Sequence, residues 1–260
     1  MLLTKYWLET RNRFFIGLLF IAALCSFFVL AQPWILEQWR MDEIADPQIY
    51  NPPWLLIARE NYSYFIWHFL YNYLLQCAWA IFTVMLALGG LSYESENGSA
   101  LFTLSLPIDR RQIFLQRVWI GFLEACILAL LPALLIPVLS ILIGMQYSIV
   151  DAISHSILFI AGGIVYYMLG VLLNALIKTE AVAFFIGIGF VIIFYFLFQP
   201  YSEGMGKPLF LKLIDLPGFI AGTASPKLFT AVWWGGFSGC VVIGLLLLFI
   251  SYHITLKKDF

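Results

Sequence analysis

Six stretches of this chain are long and apolar enough to cross a lipid bilayer, and that repetition constrains the fold more than any other feature. A helix needs about 20 mostly apolar residues to span the hydrocarbon core. The stretches fall at about 14–36, 64–91, 117–144, 152–177, 181–198 and 231–254. The whole chain is 62% hydrophobic and only 11% charged, where a soluble domain is roughly 45–50% apolar and about 25% charged. So few charges could not cover a water-facing surface, so lipid must be the solvent for most of the chain. The expected class is all-α, a polytopic membrane protein folded as one transmembrane domain over 1–260. A net charge of −1 gives no basis for a nucleic-acid partner.

Between the apolar stretches, charge and turn residues set the layout. Met1–Arg13 alternates Leu2, Leu3, Tyr6 and Trp7 with Lys5, Glu9, Arg11 and Arg13, which predicts a short helix lying in the membrane interface. Lys and Arg counts then orient the spans. With the N-terminus inside, the inner segments hold nine: Lys5, Arg11, Arg13, Arg110, Arg111, Arg117, Lys178, Lys257 and Lys258. The outer segments hold five: Arg40, Arg59, Lys207, Lys212 and Lys227. Both termini are therefore expected in the cytoplasm of a multi-pass protein in the plasma membrane of a bacterial cell. The four cysteines, Cys25, Cys77, Cys126 and Cys240, each sit in an apolar run without metal-ligand spacing, and read as buried thiols.

The most informative segment is Tyr93–Arg117, between the second and third spans. It carries Glu94, Glu96 and Gly98, then Leu101, Phe102, Leu104 and Leu106. Pro107 ends that run because it lacks the N–H for a further helical bond. Asp109 is placed to cap the next helix, whose first turns carry Arg110, Arg111 and Arg117. The pattern is a short amphipathic helix followed by a sharp break. An ordinary polar loop whose leucines reach the interface is the plainer reading. Glu94-x-Glu96-x-Gly98-Ser99, followed by Leu104-x-Leu106-Pro107-x-x-Arg110, resembles the loop after the second span of ATP-binding-cassette permeases of the second exporter type (ABC-2). The resemblance extends to the layout of six spans and a long loop between the last two. Ser99 stands where Thr is frequent, and Arg117 where Lys is frequent. In that family the loop holds a coupling helix that docks on an ATPase, which would give Glu94, Glu96, Gly98, Leu101, Leu104, Pro107 and Arg110 that role here. Relatives also form a partly re-entrant hairpin in the last loop, which would suit Leu209–Ile220.

A pump needs a nucleotide site, and the sequence offers none. Gly204-Met205-Gly206-Lys207 is followed by Pro208, and Tyr201 stands where a phosphate loop needs its first Gly. No cofactor and no catalytic residue is expected in this chain. The resemblance implies two copies of a separate ABC ATPase subunit carrying ATP and Mg, and a second permease, identical or a paralogue.

Polar residues inside spans are costly, so they mark a pathway or interhelical bonds. Tyr64, His68, Asn72 and Gln76 recur every four residues, and such steps drift by about 40° on an α-helix, keeping them in one broad sector. They read either as a polar wall of the translocation path or as interhelical hydrogen bonds. Phe190, Phe194 and Phe198 form a stripe in the fifth span, read as packing or as an apolar path wall. Glu124 is expected to pair with Arg117 or with a neighbouring span. Asp151 and His155, four apart, read as a helix-end ion pair, since two ligands are too few for a metal site. Gly235-x-x-x-Gly239, Gly187 and Gly189 permit close helix approach. A path of aromatics and neutral polar groups suits amphipathic cargo: a peptide antibiotic, a lipid or a hydrophobic drug. The alternatives are an ATP-independent carrier or channel, and an intramembrane enzyme. The latter lacks paired histidines, with His68, His155 and His253 scattered singly.

Overall fold

A computed structural model describes residues 2–45, 53–89, 109–202 and 234–257. The described residues are almost wholly helical and contain no strand. In chain order they form α1 (Leu2–Leu30), α2 (Gln32–Ala45), α3 (Pro53–Glu60), α4 (Tyr62–Phe65), a π-helix (Ile66–Leu75) and α5 (Gln76–Ala87). Then come α6 (Arg110–Leu142), α7 (Ile149–Leu176), α8 (Glu180–Ser202) and α9 (Trp234–Lys257).

Four helices are long and apolar enough to cross a membrane: Leu3–Leu30, Arg110–Leu142, Ile149–Leu176 and Phe237–Lys257. Tyr62–Tyr71 and Gln76–Ala87 pass the same test together, with a bend of 41° between them, and make a fifth if counted as one span. The apolar run of α8 within the described residues, Glu180–Ile193, is shorter.

The N-terminal segment departs from expectation. No interfacial helix precedes the first span; Leu2–Leu30 is one helix. Nothing breaks it, since no proline occurs before Pro33. Tyr6 and Thr10 are fully buried in the bundle, so this segment packs rather than lying flat. Its charged residues are tolerated because partners await them on other helices. The long apolar run therefore ends at Leu30 rather than Leu36, and Pro33 falls in the first turn of α2, where its missing N–H costs nothing.

The other helix ends are set by local chemistry. The Asp109 side chain accepts from the Arg111 N–H at 3.2 Å and caps α6, as its position in the sequence predicts. Gly144, at φ +73, lets the chain turn off α6 with Met145 N–H bonded back to Ser140 O at 3.0 Å. Ser148 then caps α7 by accepting from Asp151 N–H at 3.3 Å.

Helix α7 is the hub, packed by α5, α6, α8 and α9. Close approach is bought by small residues on α7. A Cβ on Gly163 would overlap the Trp79 indole, and one on Gly170 would lie 2.7 Å from Ala87 Cβ and 3.1 Å from Val84 O. Gly187 of α8 does the same against Val84, at 2.5 Å, whereas Gly189 faces open space. The outer faces of α1, α6 and α9 carry exposed Phe15, Leu19, Trp119, Leu134, Leu245 and Phe249. In water such faces would be a liability; in lipid they are solvated.

Candidate functional site

The second span ends at Ala87, one residue short of Leu88 and Gly89, and the chain does not continue there as a helix. The last carbonyls of such a helix have no partner of their own. Here three other helices supply them. From α1, Arg13 Nη1 donates to Leu88 O at 2.9 Å and to Met85 O at 3.2 Å. From α6, Arg117 Nη2 donates to Leu86 O at 3.2 Å and also to Leu88 O. From α7, Asn174 Nδ2 donates to Gly89 O at 2.7 Å, while its Oδ1 accepts from Gly89 N–H at 3.3 Å. Arg13 Nη2 is ion-paired with Glu180 at the start of α8. Gly89 has φ +113, and a Cβ there would collide with the Glu9 carboxylate and meet Arg117 Nη2 at 3.0 Å. The tight fit and the left-handed backbone both select glycine.

About two turns along α6 from Arg117 lies a buried acid. Glu124 Oε1 accepts from Thr10 Oγ1 at 2.5 Å, across the α1–α6 contact. Glu124 thus hydrogen-bonds to a neighbouring span and not to Arg117, whose Nη2 bonds backbone carbonyls. Glu124 Oε2 and Arg117 Nε and Nη1 have no hydrogen-bond partner among the described residues. Tyr167 closes the same layer, donating to Val118 O at 2.8 Å.

The opposite half of the second span is held differently. Tyr71 stacks on His155 of α7 with ring centroids 4.4 Å apart, and Trp79 stacks on Phe159 at 5.5 Å. Tyr71 Oη, Gln76 Oε1, Trp79 Nε1, His155 Nδ1 and Ser156 Oγ are buried without a hydrogen-bond partner among the described residues. The expected Asp151–His155 ion pair does not form: His155 is buried in a stack on Tyr71, and its Nδ1 has no hydrogen-bond partner among the described residues. In the turn between α6 and α7, burial pushes the Tyr147 phenol up, with Asp151 and Tyr62 adding to the effect.

The residues singled out for a path are dispersed. His68 is half-buried and stacks on Tyr64 at 5.6 Å, so these two share a face as expected. Gln76 is buried, and Phe190 is 41% exposed on α8. Asn72 and Phe194 sit on described backbone, but their side chains lie outside the described residues. The even four-residue spacing assumed an α-helix. Ile66–Leu75 is a π-helix, with i→i+5 bonds. There a step of four falls short of a full turn instead of overshooting it, so the sector cannot be drawn with α-helical angles. Of the coupling residues, Arg110 is the first residue of α6 and half-buried, while Glu94, Glu96, Gly98, Leu101, Leu104 and Pro107 lie outside the described residues, as does Leu209–Ile220.

In the sequence Arg13 reads as an inner charge and Arg117 as an inner charge or a partner of Glu124; their grip on the end of the second span is not visible there. The one available signal was depth. Arg117 lies two turns inside α6, too far for a charge that merely faces water.

Residues 12–256 match the family model described as ABC-2 family transporter protein. The chain belongs to the ABC-2 transporter family. The match covers nearly the whole chain and includes every helix of the polar cluster. No protein of curated function matches it. Membership makes this ABC-2 protein a multi-pass membrane component of transport, in a family whose permeases typically work with an ABC ATPase. No disulfide joins its four cysteines, and no group of metal-binding side chains occurs among the described residues.

Proposed function

We propose that the chain is the transmembrane permease subunit of an ABC exporter, forming the path and receiving force from a separate ATPase. The observation that carries this reading is the family match over residues 12–256. The sequence pattern Glu94–Arg110 supports it by placing an amphipathic segment between the second and third spans. In this reading Glu94, Glu96, Gly98, Leu101, Leu104, Pro107 and Arg110 form the docking element. ATP and Mg sit on two ATPase copies, and a second permease, identical or paralogous, completes the complex. Six spans, the last starting near Ala231, put both termini in the cytoplasm of a bacterial cell, with nine inner Lys and Arg against five outer. Permeation uses His68, Asn72, Gln76, Phe190 and Phe194, and the cargo is amphipathic: a peptide antibiotic, lipid or drug.

Cysteine crosslinking tests the docking. Ala100→Cys or Thr103→Cys is expected to crosslink to a cysteine on the surface of the co-expressed ATPase. No crosslink in any nucleotide state would remove the coupling role. Transport by the chain alone, with no ATPase present, would favour a secondary carrier instead.

A further inference from the structure

We propose that Arg13, Arg117 and Asn174 form a joint that makes the first, third, fourth and fifth spans follow the base of segment 90–108. This rests on the docking reading above and adds to it the route by which movement enters the bundle. Gly89 and Asp109, the cap of α6, are the described residues that flank segment 90–108. Arg117 belongs to the helix after the segment, yet its Nη2 holds Leu86 O and Leu88 O at the end of the one before it. The two flanks of the segment are thereby tied at one point. Asn174 clasps the Gly89 peptide from both sides, through N–H and C=O, and carries the tie into the hub helix α7. Arg13 grips Met85 O and Leu88 O and, through Glu180, reaches the start of α8.

Backbone carbonyls are unusual anchors for this purpose. They cannot change rotamer, so donors fixed to them follow the main chain. Gly89 reinforces this, since Glu9 and Arg117 leave no room for a Cβ. A pull on segment 90–108 therefore moves Leu86–Gly89 as a unit, and four helices are bonded to that unit or, for α8, to its Arg13. The three side chains are positioning residues; none needs to touch cargo or nucleotide.

The test uses the full chain assembled with its ATPase in lipid nanodiscs, with the four native cysteines replaced. Nitroxide labels at Leu74→Cys and Ile153→Cys, both exposed, report the separation of the second and fourth spans. The distance is read without nucleotide and after trapping with ATP and vanadate. Asn174→Leu and Arg117→Gln are compared with the parent, with Arg117→Lys as the milder variant that keeps one donor. In parallel, the Thr103→Cys crosslink reports docking. The expected result is an unchanged crosslink, a vanadate-induced distance shift cut at least twofold in Asn174→Leu and Arg117→Gln, and partial recovery in Arg117→Lys. If the shift is the same in all variants while the crosslink persists, the joint is structural only and the inference falls. If the parent itself gives no crosslink, the docking reading fails and takes this inference with it.

Discussion

The end and the middle of the second span are held by opposite means. At Leu86–Gly89, two arginines and an asparagine donate directional bonds to main-chain carbonyls. At Tyr71–Trp79, aromatic rings stack on His155 and Phe159, and five polar atoms are buried without a hydrogen-bond partner among the described residues. Directional bonds hold one geometry and fail abruptly when a partner is removed. Stacked rings tolerate sliding, and unpaired polar groups give the contact little to lose. The π-helix Ile66–Leu75 lies in this second half, and such segments are strained relative to an α-helix. The difference teaches that the span is held by directional bonds to its main chain near Gly89 and by packed rings around Tyr71 and Trp79.

Substitutions in each region can break or sharpen this contrast. The largest effect is expected in the middle, where Gly163 receives the Trp79 indole. Gly163→Leu would force the indole out and push α5 from α7, costing about 3 kcal/mol, the upper end of what overpacking typically costs. Loss of the monodisperse peak in size-exclusion chromatography in detergent would report it. Near Gly89, Arg117→Met leaves the Leu86 and Leu88 carbonyls under-satisfied in a buried site, an expected loss of about 1–3 kcal/mol. Thermal unfolding of the purified chain, followed by thiol reactivity of buried Cys25 and Cys240, measures it. A smaller coupling is expected between Thr10 and Glu124, on the order of 0.6 kcal/mol, the average for interhelical hydrogen bonds in membranes. A double-mutant cycle with Thr10→Val and Glu124→Gln gives that number directly. At the packed rings, His155→Phe keeps the stack on Tyr71 and deletes an unpartnered Nδ1, so stability should change by only about 0.5 kcal/mol or rise. A loss as large as that of Arg117→Met would show that His155 has a bond the contrast denies it.

Particular residues show what could be read in advance. Asp109 was legible as a cap because a short carboxylate before a helical run satisfies a local N–H, and locality is what sequence displays. The break between the fourth and fifth apolar stretches, after 177, was legible too, with α7 ending at Leu176 and α8 starting at Glu180. The segment before Arg13 was not. Its alternating charges look the same whether they face water at an interface or bind carbonyls of another helix, and Arg13 does the latter. The polar sector of the second span was drawn with α-helical angles, and nothing in Ile66–Leu75 announces a π-helix. Nothing local marks Asn174, because the group it clasps, Gly89, is 85 residues away.

The sequence by itself determined that this protein is helical and lives in lipid, because apolar length and scarcity of charge are sums over the chain and need no coordinates. It also carried the family, through the motif around Glu94–Arg110 and the match over residues 12–256. Only the tertiary structure decided which charges inside the bundle are paired and with what. A buried arginine must find acceptors, but many carbonyls are chemically equal candidates. Helix packing around α7 brought Leu86–Gly89 within reach of Arg13, Arg117 and Asn174, and that choice is a property of three-dimensional proximity alone.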